Sequence, residues 1–158
     1  MDSKHFRKVF GQFATGVTVI VGTDDQGERT ALTATSFNTV SLDPPLVVFS
    51  VKKNGYAGVK FRECRVFVIN VLAEDHRELS DLFGRPSDAS VRQAALDSMM
   101  ESGVARLAGA LAALHCEPFM TQEVGDHALF VVRVTDAAFN EGRKPLLFFS
   151  SEYRKLLE

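Results

Sequence analysis

VTVIVGTDDQGERTALTATSFNTVSLDPPLVVFSV, residues 17–51, is the stretch whose reading decides the fold. Residues 17–22 are rich in β-branched side chains, which suit a pleated, half-buried surface. Asp24, Asp25, Gln26 and Gly27 then form a turn signal, because Asp bonds its own backbone and Gly supplies positive φ. Residues 30–36 return as the second strand of a hairpin. Residues 38–42 continue extended up to Pro44-Pro45, and residues 46–51 (LVVFSV) read as an apolar strand of the fully buried kind.

Upstream of this stretch, Phe6, Val9, Phe10 and Phe13 recur at i, i+3, i+4 and i+7. That stripe predicts a helix, with Asp2 or Ser3 as N-cap and Thr15-Gly16 as its end. Downstream, the period changes over residues 54–63, where Tyr56, Val59 and Lys60 are placed on one face of a short helix. Residues 65–72 (RVFVINVL) read as a strand, and residues 74–83 as a helix with Leu79, Leu82 and Phe83 inward. Gly84-Arg85-Pro86 breaks that helix, and residues 87–101 read as a polar, weakly helical surface excursion. Three further strands are placed at residues 111–118, 127–134 and 146–149, with turns at Gly125-Asp126 and Glu141-Gly142. About seven strands joined by hairpin-type connections, with helices that do not alternate with them, exclude a doubly wound parallel sheet. The pattern predicts a mainly β chain, a small antiparallel barrel with peripheral helices. With no repeat and no linker, residues 1–158 read as one domain.

The chain has 158 residues, too few for a full dinucleotide domain plus a separate substrate domain. Its 18 basic and 20 acidic residues give a net charge of −2, which argues against nucleic acid as a partner. The mixed-charge N-terminus lacks a signal-peptide core, and no apolar run is long enough to span a membrane. Cys64 and Cys116 show no CxxC spacing and read as two buried thiols in a reducing cytoplasm, a single disulfide being the alternative. One oddity is the aromatic balance: 13 Phe, 2 Tyr and no Trp.

Motifs of the common catalytic classes are absent: no GxGxxG after a strand, no GxxxxGK[ST], no GxSxG and no HExxH. His5, His76, His115 and His127 have no metal-ligand spacing, and no metal is expected. Three segments remain. Thr33-Ala34-Thr35-Ser36 offers small hydroxyl side chains at a strand end, which admit a ligand to the backbone; an ordinary Thr/Ser strand is the alternative. Residues 50–65 carry Lys52, Lys53, Lys60, Arg62 and Arg65 against one acid, Glu63, where a strand leaves for a helix. Such a place suits an anion, and equally a solvated basic face. Gly125-Asp126-His127 is a turn that reads as surface punctuation or as chemistry.

Taken together, these segments resemble the short-chain flavin reductases, the reductase components of two-component flavin monooxygenases. The resemblance lies in FATGVTVIV (13–21), LTATSFNTVSLDPPLVVFSV (32–51), FVINVLA (67–73) and LSDLF (79–83). It continues in LAGALAALHC (107–116), GDHALF (125–130) and PLLFFSSEYRKL (145–156), all in the family's order. Residues 87–103 have no counterpart. The resemblance implies an antiparallel split β-barrel of the FMN-binding, Greek-key type with peripheral α-helices, working in the cytoplasm as a homodimer. It implies an enzyme, an NAD(P)H:flavin oxidoreductase that passes hydride from NADH or NADPH to FMN or FAD and supplies a flavin-dependent monooxygenase partner. A flavin-binding carrier or sensor without turnover, and a plain dimerisation module, are the competing readings. By position, Thr33, Ala34, Thr35 and Ser36 would contact the isoalloxazine edge and ribityl chain. Ser50, Val51 and Lys53 would lie near the ribityl phosphate and Phe83 near the cofactor rim. His127 would position the nicotinamide as the catalytic residue, and Tyr153 and Arg154 would close the pocket. Two departures stand out: Gly55-Tyr56-Ala57 where relatives often carry small hydroxyls, and Val132-Arg133 where Gly-Glu is common.

Overall fold

The computed structural model describes residues 2–100 and 103–157. The elements run α1 (Ser3–Phe10), β1 (Thr15–Gly16), β2 (Thr18–Asp24), β3 (Arg29–Ala34), β4 (Asn38–Leu42), β5 (Pro45–Lys52) and α2 (Tyr56–Lys60). There follow β6 (Cys64–Val71), α3 (Arg77–Gly84), α4 (Ala89–Ser98), β7 (Ala112–Val124), β8 (His127–Phe139), β9 (Leu147–Phe149) and β10 (Glu152–Arg154). Seven strands form one sheet in the order β3-β2-β6-β7-β8-β5-β4, and every pairing in it is antiparallel. A small sheet, β1-β9-β10, stands beside it. The chain is thus mainly β with few helices, as expected. No helix among the described residues is long and apolar enough to cross a membrane.

Local chemistry sets the two hairpins that matter most. In the β2–β3 turn, Asp24 Oδ1 accepts from the N–H groups of Gln26 and Glu28, both at 2.9 Å, and Gly27 takes φ 81°. Gly125 (φ 61°) and Asp126 form the two-residue turn between β7 and β8, whose register pairs Val124 with His127.

Strand alternation feeds two cores, one on each face of the sheet. From β2, Ile20 enters the first core, while Val19 and Val21 enter the second. The first core is built on Phe49, Phe61, Phe67 and Phe130, with ring centroids 5.4 to 6.2 Å apart and mostly edge-to-face. This cluster takes four of the thirteen Phe residues. The second core packs Val17, Val68, Leu72, Phe83, Leu96, Met99 and Leu146 under α3 and α4. Both cysteines are free and buried.

Several expectations need correction. The N-terminal helix ends at Phe10, capped by Gly11, and Thr15–Gly16 is a strand because it pairs with Phe148 and Leu147. Phe13 lies beyond the helix, and α1 buries no residue: its apolar stripe faces outward. In α2 Tyr56, Val59 and Lys60 do share one face, the outer one, and the buried face is Ala57 and Gly58, where the helix lies against the Lys52 carbonyl. The strands β7 and β8 run 13 residues each, well past the predicted ends, and β10 went unpredicted. Beyond Glu117, β7 is exposed, so it carries no burial alternation to read. The excursion at residues 87–100 is a capped helix that buries Leu96 and Met99; its predicted end, Glu101, lies outside the described residues.

Candidate functional site

β3 is an edge strand of the seven-stranded sheet, so half of its backbone groups find no partner strand. Arg92 Nη2 donates to the Ala31 carbonyl at 2.9 Å from the open side. In an antiparallel ladder the outward groups alternate, so Thr33 also presents its N–H and C=O off the sheet. Thr18 Oγ1 donates to the Ala34 carbonyl at 2.7 Å on the paired side, and Ala34 itself is core. Just past the strand, Ser36 Oγ donates to the Ser50 carbonyl and accepts from the Ser50 N–H, both at 3.0 Å. These two bonds pin the end of β3 to β5.

Two adjoining cavities lie along this edge and share Gly84 and Arg85. The first, about 510 Å³, is bounded by Thr33 and Thr35, by the polar face of α3 and by Phe148, Ser151, Glu152 and Tyr153. The second, about 660 Å³, runs past Ala31, Leu32, Val51, Lys52 and the start of α2 to Phe83 and α4. A Cβ added at Gly84 would meet the Thr33 side chain at 3.5 Å, an ordinary contact, so the turn after α3 lies beside β3.

The wall of the first cavity is held by a hydrogen-bonded chain. Tyr153 donates its phenolic proton to Asp81 Oδ1 at 2.9 Å. A phenol has one proton, so the 2.7 Å contact with Ser80 Oγ has Ser80 as donor. Burial, reinforced by the Asp81 carboxylate, pushes the Tyr153 phenol above its ordinary value. Arg77 lies 5.1 Å from the centre of the Tyr153 ring, and Phe148 packs edge-on at 5.5 Å. The hairpin that delivers Tyr153 turns through Ser150 and Ser151, both with positive φ (53° and 65°), positions that Asn and Gly usually fill. The Ser150 N–H is tied to the Gly11 carbonyl at 2.7 Å.

Ser50 and His127 lie on the face of β5 and β8 turned away from the Phe core, whereas Val51 points into that core. Ser50 and Lys52 stand opposite Leu129 and His127, while Val51 opposite Ala128 is buried. His127 Nδ1 meets Asp126 Oδ1 at 2.7 Å, and that bond holds the Asp126 carboxyl below its usual range. Lys53 pairs with Glu123 at 3.5 Å, and Arg62 hydrogen-bonds the same carboxylate at 2.8 Å. Of the predicted set, Thr33, Thr35 and Tyr153 border the first cavity, and Val51 and Phe83 the second. Ala34 is core, Ser36 and Ser50 form the clasp between strands, and Lys53, His127 and Arg154 line neither cavity. Arg154 pairs with Glu152 at 2.7 Å. At the second departure from the family pattern, Val132 is core and Arg133 donates from Nε to Glu117 at 2.7 Å across the ladder.

Sequence reading did not reach Arg77, Ser80, Asp81, Arg85 or Arg92. Arg77, Asp81 and Arg85 do recur at a spacing of four, a polar stripe opposite Leu79, Leu82 and Phe83, and that stripe was the available signal.

Comparison with known proteins identifies the family. A family model described as the flavin reductase like domain matches residues 10–157. The NADH-dependent flavin reductase of a Rhodococcus species is 34% identical over 154 residues, 96% of this chain and 85% of that protein. HsaB of Rhodococcus jostii, the reductase subunit of a flavin-dependent monooxygenase, is 34% identical over 154 residues, 97% of this chain and 77% of that one. The structure of the NADH:FAD oxidoreductase SgcE6 of Streptomyces globisporus, in complex with NAD and FAD fragments, matches with a TM-score of 0.86. That match is 34% identical and covers 99% of this chain and 93% of that one. With the motifs in order, the sheet in place and nearly the whole chain matched, this protein belongs to the flavin reductase like domain family.

Proposed function

We propose that the chain is an NADH:flavin oxidoreductase that passes hydride from NADH to FMN or FAD and delivers the reduced flavin to a partner flavin-dependent monooxygenase. The observation that carries this reading is the open edge of β3 beside two adjoining cavities. The residues there suit a flavin. Leu32, Val51, Ala57 and Phe83 give apolar contact for a flat ring system, and outward backbone groups near Thr33 can meet its polar pyrimidine edge. Arg29, Lys52 and Arg85 border the second cavity and supply cationic charge for a phosphate. When bound, the flavin supplies the hydride-accepting chemistry.

The chain itself supplies binding and orientation. Small side chains at Thr33, Ala34 and Thr35 allow close approach to the strand, and the Ser36–Ser50 clasp keeps that strand end fixed. Ser50, Val51 and Lys53 remain assigned to the phosphate side and Phe83 to the ring rim. Tyr153, held by Ser80 and Asp81, walls the first cavity, with Arg154 beside it. His127, oriented by Asp126, is assigned to nicotinamide positioning. Holding two rings at reacting distance is worth roughly 7–11 kcal/mol, so no nucleophile or strong base is needed.

The same reading includes one domain, curled into a split barrel, assembled as a homodimer in the cytoplasm. Matching of residues 10–157 to one family model supports the single domain. The Ser36–Ser50 bonds, which draw β3 toward the other end of the sheet, support barrel closure. The outward stripe of Phe6, Val9 and Phe10 on α1, continued by Phe13, supports a covering second copy. The two free buried thiols support a reducing compartment.

The test is oxidation of NADH and of NADPH with FMN, FAD or riboflavin added. Flavin-dependent oxidation with NADH is expected, and its absence with both nucleotides defeats the assignment.

A further inference from the structure

We infer that Arg92 is a positioning residue that builds the wall of the flavin groove, holding the turn after α3 against the open edge of β3. The inference rests on the flavin reading for its functional consequence. Arg92 lies on α4, and its guanidinium bridges four places at once. Nη2 donates to Ala31 O at 2.9 Å; Nη1 donates to Leu82 O at 3.2 Å, and to Arg85 O and Ser87 Oγ at 3.4 Å. Its Cζ lies 5.2 Å from the centre of the buried Phe83 ring. Leu82 O is one of the last carbonyls of α3, which have no partner within the helix. Ser87 Oγ also donates to it at 3.0 Å, so the turn closes on itself under Arg92.

Two consequences follow for the groove. The outward carbonyl of Ala31 is consumed, so a ligand meeting the edge of β3 finds its contacts from Thr33 onward. Arg92 therefore sets where along the strand the backbone edge is open to hydrogen-bond a ligand. It also fixes the backbone of Gly84 and Arg85, the two residues common to both cavities, and so sets the seam between them. A planar fork of five donors can span these acceptors; the ammonium of Lys, a point charge with three donors, cannot.

The experiment compares wild type with Arg92→Met and Arg92→Lys by flavin binding, steady-state kinetics and amide hydrogen exchange. Riboflavin and FMN are the probes, because riboflavin lacks the phosphate. Positioning predicts that Arg92→Met weakens both flavins by the same factor, roughly tenfold or more. The loss falls on KM for flavin rather than on kcat at saturating flavin, and exchange rises over residues 82–92. Arg92→Lys is expected to fall between, again equally for both probes, and it carries the test if the Met variant does not fold. A loss confined to FMN, or full recovery with Lys, would mean that Arg92 acts as a charge for phosphate and overturns the inference. Unchanged affinity and exchange in both variants overturns it as well. If wild type binds no flavin, the functional reading fails, while the exchange comparison still decides whether Arg92 holds the turn.

Discussion

Replacing Tyr153 by Phe removes one oxygen and leaves the ring packed on Phe148 and under Arg77. Two hydrogen bonds go with it, from Ser80 at 2.7 Å and to Asp81 at 2.9 Å. Ser80 is 1% exposed, so its hydroxyl loses its partner where water cannot replace it. An orphaned buried donor costs about 1–3 kcal/mol, but Ser on a helix can turn back to the carbonyl four residues earlier, which softens the loss. The Asp81 side chain is 36% exposed, so the second bond counts at the low end of charged hydrogen bonds. The sum is about 2 kcal/mol, which for a chain of this size lowers Tm by roughly 5 °C. Thermal unfolding followed by circular dichroism measures it, with Ser80→Ala and the double variant completing a cycle. A coupling of about 1 kcal/mol between the two sites is expected. A Tm within about 1 °C of wild type, or fully additive single effects, would refute the Ser80–Tyr153–Asp81 chain as a stabilising unit.

Gly58→Ala should destabilise by about 1–3 kcal/mol in urea unfolding, because an added Cβ would sit 2.2 Å from the Lys52 carbonyl oxygen; a neutral result would mean that α2 is not seated on β5 as described. Burial pushes the thiols of Cys64 and Cys116 up, to about 11 and about 12 from an ordinary 9.0. Since the folded values are raised, their contribution to stability is complete below the ordinary thiol value and drains away as pH climbs through the folded values. Unfolding free energy should therefore decline from mildly to strongly alkaline pH, and both thiols should resist an aromatic disulfide reagent near neutral pH until the chain unfolds. Immediate stoichiometric labelling would contradict their burial. His127→Ala should raise KM for NADH and leave flavin affinity nearly intact; loss of flavin with rate retained at saturating flavin would remove His127 from its assigned role.

Much of the architecture was legible because hydrophobic alternation and turn chemistry are local. Strand β4 falls where the sequence reading put it, and β2, β3, β5 and β6 lie within two residues of the predicted bounds. The helix at residues 3–10 was also legible as a helix, yet its apolar stripe implies burial that this chain alone does not provide. Periodicity reports which face is apolar and carries no information on what covers it. The site was readable only in part. Thr33 to Ser36 stand out by their small hydroxyl side chains, whereas Ser80, Asp81 and Arg92 are polar residues on helices, indistinguishable in sequence from a solvated face.

The sequence by itself determined an antiparallel, mainly β chain and its family, because β-branched runs, turns bearing Gly with Asp or Glu, and ordered motifs are properties of neighbouring residues. Tertiary structure alone decided that β3 is left at an open edge, that Tyr153 reaches Ser80 some seventy positions away, and that one arginine of α4 closes the groove. Those facts depend on which segments meet after folding. Each is fixed by sheet order and by hydrogen bonds between distant carbonyls and side chains, whose partners no local pattern encodes.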